Sequence, residues 1–158
     1  MLASTLGLTA TAQQRPRTNV VFIMTDDHGA LSMGAYSCTE FHTPALDSLA
    51  RGGARFTNAF ACTPVSSPSR MTYITGKLPS HHRIQDFLLS GDEQHYLANQ
   101  LTSTDLIAKS GYPLGMSGKW HMGNDRQAHA GFSFWNTVPG GAGTFRDPSS
   151  SPTAERGR

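Results

Sequence analysis

Apolar runs alternate with helix-like segments in the first half of the chain. The run TNVVFIMTDD (18–27) is β-branched and aromatic and becomes acidic at its end, which is typical of a buried strand that enters a loop. A Thr-Pro pair opens a short helix in ALDSLARGG (45–53), since Pro suits the first helical position. RFTNAFAC (55–62) predicts a second strand, and SRMTYIT (69–75) predicts a helix that a glycine closes.

The same alternation continues towards the C-terminus. TSTDLIAKSGY (102–112) predicts a capped helix, and PLGMSGKWH (113–121) predicts a strand that runs into a loop. Strands that alternate with helices favour an α/β fold with a mostly parallel sheet flanked by helices. Ligands of such sheets bind beyond the carboxyl ends of the strands, so we expect Asp26 and Asp27 to share an edge with the Lys-Trp-His end of the later strand.

Composition indicates an ordinary globular chain and argues against a nucleic-acid partner and against a membrane span. The chain has 158 residues, which fits one domain, with 37% apolar and 15% charged residues. Its net charge of +2 comes without a basic run, so we expect no nucleic-acid partner. No apolar run is long enough to predict a membrane span. The spacing of Cys38 and Cys62 matches no zinc pattern, and we interpret both as structural; their pairing stays open.

The two ends of the chain differ from its middle. MLASTLGLTATAQQ is small and apolar and offers an Ala-Thr-Ala cleavage site, which predicts a signal-peptide remnant over residues 1–12; a frayed N-terminus is the alternative. Export predicts a periplasmic or secreted protein. Residues 13–145 are then the main body of the chain, and residues 146–158 have the composition of a disordered or frame-shifted tail.

Taken singly, the polar candidates have ordinary explanations. Asp26 and Asp27 offer hard oxygen ligands for Ca²⁺ or Mg²⁺, but paired carboxylates are also common in solvated turns. Lys119 and His121 are typical of surface residues at a strand end. Ser66 precedes a helix whose free N–H groups favour an anion, and it could equally be a capping serine without chemistry. The histidine pair at 81–82 predicts a polar loop.

Four ordered segments together resemble the sulfatase family. SSPSR (66–70), with a Thr-Gly pair five residues on, resembles the motif of Cys or Ser followed by x-P-x-R and T-G. GYPLGMSGKWHMG (111–123) resembles the family's G-K-W-H-x-G segment, and NVVFIMTDDHG and TPALDSLARGGARFTNAF precede both in the family's order. The resemblance covers residues 18–135. Tyr73 and Leu114 depart from the usual residues, away from the reacting atoms.

The resemblance implies a mechanism and a role for each motif residue. A serine-type maturase is expected to convert Ser66 to formylglycine. The hydrate of this formylglycine is expected to cleave a sulfate ester. Arg70 is expected to hold the hydrated aldehyde, Lys119 to contact the sulfate, and His121 to bond the second hydroxyl and help remove its proton. A divalent cation, Ca²⁺ with Mg²⁺ as the alternative, is expected on the two aspartates and on Ser66 itself.

Two alternatives stay open beside a sulfatase. One is a phosphatase or phosphonate hydrolase of the related alkaline phosphatase superfamily, which can use an unmodified serine. The other is a non-catalytic, truncated product, because sulfatases continue for hundreds of residues that supply further metal ligands. The resemblance therefore implies that residues 13–145 are the N-terminal part of a sulfatase catalytic domain, and we interpret the chain as a fragment. The substrate is a sulfated small molecule or glycan; the aromatic run at 131–145 does not decide among aryl, glycan and lipid sulfates.

Overall fold

The structure is a computed structural model that describes residues 17–89, 92–142 and 151–152. Its residue contacts divide the chain into two units, Met1–Gly52 and Gly53–Arg158. The predicted signal-peptide segment lies outside the described residues. The predicted tail also lies outside them, apart from the short strand at 151–152.

The described part of the first unit, residues 17–52, contains one α-helix and two 3-10 turns. Helix α1 spans Pro44–Gly52, as the Thr-Pro pair predicts, and the turns span Ala30–Ser32 and Gly34–Tyr36. Asp47 of α1 connects the helix to the second of these turns, because its Oδ1 accepts hydrogen bonds from Ala35 N at 2.7 Å and from the Thr43 hydroxyl at 3.0 Å. The short helix predicted from the sequence is therefore confirmed.

Both strands predicted in the first part of the chain are wrong. Residues 18–27 and 55–62 have no regular secondary structure, and the described strands all lie between residues 114 and 152. Val21 is 81% exposed and Phe60 is 88% exposed. A β-branched run becomes a strand only when a neighbouring strand satisfies its main-chain groups, and the sheet of the described residues offers these two runs no partner.

Three α-helices and a 3-10 turn, Pro139–Gly141, lie in the described part of the second unit. Helix α2 spans Ser66–Thr75, starts earlier than predicted, and ends at Gly76, which has the left-handed φ of 66°. Helix α4 spans Ser103–Lys109 and begins with a capping box between Thr102 and Asp105. Helix α3 spans Pro79–His82, where a polar loop was expected. The loop prediction is wrong, because these residues form a helical turn and the side chain of His82 is buried rather than solvated.

The second unit also contains the sheet. Strand β1, Leu114–Gly118, pairs in parallel with β2, Phe132–Thr137, and β3, Ser151–Pro152, pairs antiparallel with β2. The strand order is therefore β1-β2-β3. Strand β1 agrees with the sequence prediction, whereas β2 lies in the aromatic run for which no strand was predicted. Helices with a sheet whose longer strands are parallel confirm the α/β fold class.

One hydrophobic core holds the second unit together. Trp120 packs edge-on against Trp135 of β2, with ring centroids 4.8 Å apart, and Phe132 joins the same aromatic cluster. The buried apolar side chains are Met71, Ile84, Leu97, Trp120, Met122 and Trp135. Because this core takes Met71 from α2 and Trp120 from the loop after β1, it fixes these two segments against each other.

Two further observations concern the membrane and the thiols. Among the described residues, none of the helices combines the length and the apolar character that crossing a bilayer requires. Cys38 is half-buried, Cys62 is exposed, and both are free thiols.

Candidate active site

Ser66 is the first residue of α2. The preceding residue, Val65, is extended and acts as the N-cap, and its carbonyl accepts the Ser69 N–H at 3.1 Å. Ser66 is half-buried, whereas Ser67 and Pro68 beside it are fully buried. The first turn of α2 is thus packed on one side and presents the Ser66 hydroxyl on the other.

Arg70 lies one helical turn after Ser66 and on the same face. Its Nε donates a hydrogen bond to Ser66 Oγ at 3.3 Å, and its Nη1 donates to the main-chain carbonyl of Lys119 at 2.7 Å. The side chain is only 8% exposed. The guanidinium therefore joins the start of α2 to the segment that leaves β1, in a buried position where its charge is poorly screened.

The imidazole of His121 contacts the same hydroxyl. Its Nδ1 lies 3.2 Å from Ser66 Oγ, and its Nε2 lies 3.0 Å from the carbonyl oxygen of Leu88. A carbonyl only accepts, so Nε2 carries the hydrogen and Nδ1 presents a lone pair. Ser66 then donates its hydroxyl hydrogen to Nδ1 of His121, which is the arrangement of a base beside a nucleophile.

The surroundings of His121 favour its neutral form. Burial is the main cause that lowers the pKa of His121 below the ordinary value of 6.5, and the positive charges of Lys119 and Arg70 lower it further. The hydrogen bond to Leu88 and the charge of Asp125 act in the opposite direction without reversing the shift. A neutral imidazole can accept the Ser66 proton at neutral pH.

Close packing fixes the plane of the His121 ring. Phe87 meets it edge-on, with centroids 4.7 Å apart and an interplanar angle of 72°. Gly141 lies against the ring so closely that a β-carbon there would overlap the imidazole. Gly141 also has a φ of +72°, so both its backbone and its surroundings require glycine.

The metal-ligand candidates lie in both units. Asp26 and Asp27 are exposed residues of the first unit, and Asp27 has a left-handed φ of 51°, whereas Ser66 belongs to the second. The described part of the chain contains no group of three or more His, Cys, Asp or Glu side chains that could hold a metal. Carboxylate and hydroxyl oxygens are hard donors of the kind that Ca²⁺ and Mg²⁺ prefer, and Ca²⁺ typically takes about six to eight of them.

A cavity of about 370 Å³ elsewhere in the second unit is not the candidate site. Tyr96, Trp120, Asn124 and His129 are among its lining residues, and the lining found within the described residues includes neither Ser66 nor its partners Arg70 and His121. Cavity size is a usual guide to active sites. We place the candidate site at Ser66 because a hydroxyl, an imidazole and a buried guanidinium meet there.

Three positions that shape the site were not identified from the sequence. Leu88 acts through its main-chain carbonyl and Gly141 through its lack of a side chain, so neither carries a side-chain signal. Asp125 accepts the His121 N–H at 2.9 Å and lies four residues further on in a turn. The spacing of an acidic residue after the Lys-Trp-His segment is the one signal that could have identified it.

Comparison with known proteins decides the family. The family described as Sulfatase matches residues 18–156. The chain belongs to the sulfatase family. It is 35% identical to rat (Rattus norvegicus) steryl-sulfatase over 138 residues and 34% identical to the N-acetylglucosamine-6-O-sulfatase of Bacteroides thetaiotaomicron over 140 residues. These matches cover 84% and 86% of this sulfatase chain and 24% and 23% of the two relatives.

A solved structure agrees with this assignment. A protein in complex with its substrate, D-glucosamine-2-N,6-O-disulfate, matches the chain with a TM-score of 0.75 and 31% sequence identity. The match covers 89% of this sulfatase chain and 27% of that protein. The chain thus has the alkaline-phosphatase-like sulfatase fold and spans about a quarter of the length of the proteins that it matches.

Proposed function

We propose that this chain contributes the nucleophile and its base to the hydrolysis of a sulfate ester. The observation that carries the proposal is the position of Ser66 Oγ, which lies 3.3 Å from Arg70 Nε and 3.2 Å from His121 Nδ1. A hydroxyl between a buried cation and a neutral imidazole is the arrangement that a nucleophilic attack on an anionic ester requires.

Each residue of the cluster has a distinct task in this proposal. Ser66 is the site of conversion to formylglycine, a modification that supplies two hydroxyls on one carbon when hydrated. His121 accepts the proton of the hydroxyl through Nδ1, while its Nε2 stays bonded to Leu88 O. Arg70 orients the group at position 66, and Lys119 contacts the sulfate. The positive charges of both side chains already act on His121, which indicates a cationic environment suited to an anionic substrate.

The proposal includes a divalent metal, Ca²⁺ or Mg²⁺. Asp26, Asp27 and the oxygen at Ser66 would hold it, because hard oxygen donors are the ligands that these cations prefer. When bound, such a cation neutralises sulfate charge and lowers the pKa of a coordinated hydroxyl.

A sulfated glycan is the substrate class that we favour. One relative is named an N-acetylglucosamine-6-O-sulfatase, and the matched structure holds a disulfated glucosamine. The steryl-sulfatase relative is equally similar in sequence, so steryl and aryl sulfates are the competing classes. The proposal further includes a serine-type maturase as partner and a secreted or periplasmic location.

Mass spectrometry tests the central step. The chain is coexpressed with a serine-type maturase, and the tryptic peptide that ends at Arg70 is expected to lose two hydrogens in mass. The peptide that starts at Met71 is expected to stay unchanged. Ser66→Ala is the matched control, because its peptide retains two other serines, Ser67 and Ser69, and must show no loss.

The same preparation separates the phosphatase alternative. An unmodified Ser66 under these conditions contradicts the formylglycine assignment. Cleavage of phosphate esters without cleavage of sulfate esters, in the protein with unmodified Ser66, would favour a phosphatase or phosphonate hydrolase instead.

A further inference from the structure

The main chain of His121 is held in an unusual conformation. Its φ is 56°, in the left-handed region that residues other than glycine rarely adopt. Such a conformation persists only where the surroundings fix it. Here the His121 N–H donates to Asp125 Oδ1 at 2.9 Å, and both residues are buried, with 2% and 8% exposure.

Asp125 is itself anchored independently of its carboxylate. Its main-chain carbonyl accepts the indole Nε1–H of Trp135 at 2.9 Å and also accepts the Thr137 hydroxyl. Both donors belong to β2, so the sheet fixes the main chain at Asp125. The carboxylate is then directed at His121, and the two functions of Asp125 can be separated by changing its side chain alone.

We propose that Asp125 is a positioning residue for His121. Its carboxylate fixes the peptide N–H of His121 and thereby holds the ring between Leu88 O and Ser66 Oγ, with the hydrogen on Nε2 and the lone pair on Nδ1. Release of that N–H lets the peptide return to a common backbone conformation, which turns the ring away from both partners. The catalytic consequence rests on the proposed function, whereas the placement of the ring does not.

Nitrogen NMR of the full chain with ¹⁵N-labelled histidine tests the placement. His121→Gln identifies the His121 signals. In the chain without substitutions we expect separate His121 signals for a protonated Nε2 and an unprotonated Nδ1. In Asp125→Ala we expect this separation to be lost, as the two tautomers exchange. Asp125→Asn keeps an acceptor oxygen of the same shape and is expected to restore the separate signals.

Two controls separate positioning from general stability. Asp105→Ala removes another carboxylate, from the capping box of α4, and must leave the His121 signals unchanged. The indole N–H signal of Trp135 reports whether the main chain at Asp125 has stayed in place. The proposal is overturned if Asp125→Ala keeps separate His121 signals, or if it loses the Trp135 signal too, which would mean that the carboxylate serves local folding.

This readout is independent of sulfate ester cleavage. Failure of Ser66 to be converted would contradict the proposed function. The His121 signals would still test the positioning role of Asp125. Conversely, a converted Ser66 with unaltered His121 signals in Asp125→Ala would contradict only the positioning role.

Discussion

The two units of the chain bury very different amounts of apolar side chain. All six core residues belong to the second unit, whereas no described residue of the first unit, from 17 to 52, is buried. Yet the first unit carries the most hydrophobic run of the chain, whose residues Val20–Ile23 are each at least 71% exposed. Apolar sequence therefore produces a core only where helices and strands surround it, as they do around Trp135.

Truncating one apolar side chain in each unit should give the largest contrast. Trp135→Ala removes a side chain that is 2% exposed and is expected to lower the free energy of unfolding by about 3–5 kcal/mol. Ile23→Ala removes one that is 71% exposed and is expected to change it by less than about 0.5 kcal/mol. Urea unfolding followed by far-UV circular dichroism measures both. Equal losses would mean that the exposed run is packed in solution.

A smaller effect is expected within the first unit. Asp47→Ala removes the acceptor for Ala35 N and for the Thr43 hydroxyl, which should destabilise the unit by about 1–2 kcal/mol and speed amide exchange at Ala35 roughly tenfold. Hydrogen exchange with mass spectrometry over this segment measures the change. Ser48→Ala, at an exposed position of the same helix, is the matched control. Unchanged exchange at Ala35 in Asp47→Ala would show that α1 and the 3-10 turn are held by something else.

The smallest expected effect is a pH dependence confined to the second unit. His82 accepts the Ile84 N–H at Nδ1 and therefore donates from Nε2 to Thr72 Oγ1, which requires a neutral ring. Burial lowers the pKa of His82 below 6.5. The unfolded chain therefore binds a proton at His82 more readily than the folded chain does. The contribution of neutral His82 to the free energy of unfolding is fully present above pH 6.5 and is lost as the pH falls towards the lower folded pKa.

Urea midpoints measured above and below this pH test the prediction. His82→Gln should flatten the decline on the acid side, apart from the part that His121, whose pKa is lowered in the same direction, still contributes. His81→Gln changes the exposed neighbour and should leave the decline unaltered. A decline that persists in full in His82→Gln would exclude His82 as its cause.

Local signals predicted the elements that local chemistry determines. The Thr-Pro pair before α1 and the Thr102 cap of α4 are local signals, because the proline itself begins α1 and the capping partners Thr102 and Asp105 of α4 are three residues apart. The runs 18–27 and 55–62 failed as predictions because a strand depends on a partner that the run itself does not specify. Strand β2 was missed since its aromatic residues suit a core equally well in other conformations.

The candidate site likewise contains residues that the sequence predicted and groups that it did not. Ser66, Arg70 and His121 were named from their motifs, and their side chains do lie within hydrogen-bonding distance. Their roles in catalysis stay predictions. The groups that set the state of His121 act through a main-chain carbonyl, a turn carboxylate and an absent side chain, and these are determined only by the folded chain.

Both tryptophans lie in the second unit, which is therefore the source of the tryptophan fluorescence of the chain. The chain contains only two tryptophans, and both are buried in the aromatic cluster, 4.8 Å apart and edge to face. Excitation at the red edge of indole absorption therefore samples the second unit alone, while the first unit, whose largest chromophore is Tyr36, stays dark. A single emission spectrum thus reports the state of the segment that carries His121, whatever the rest of the chain does.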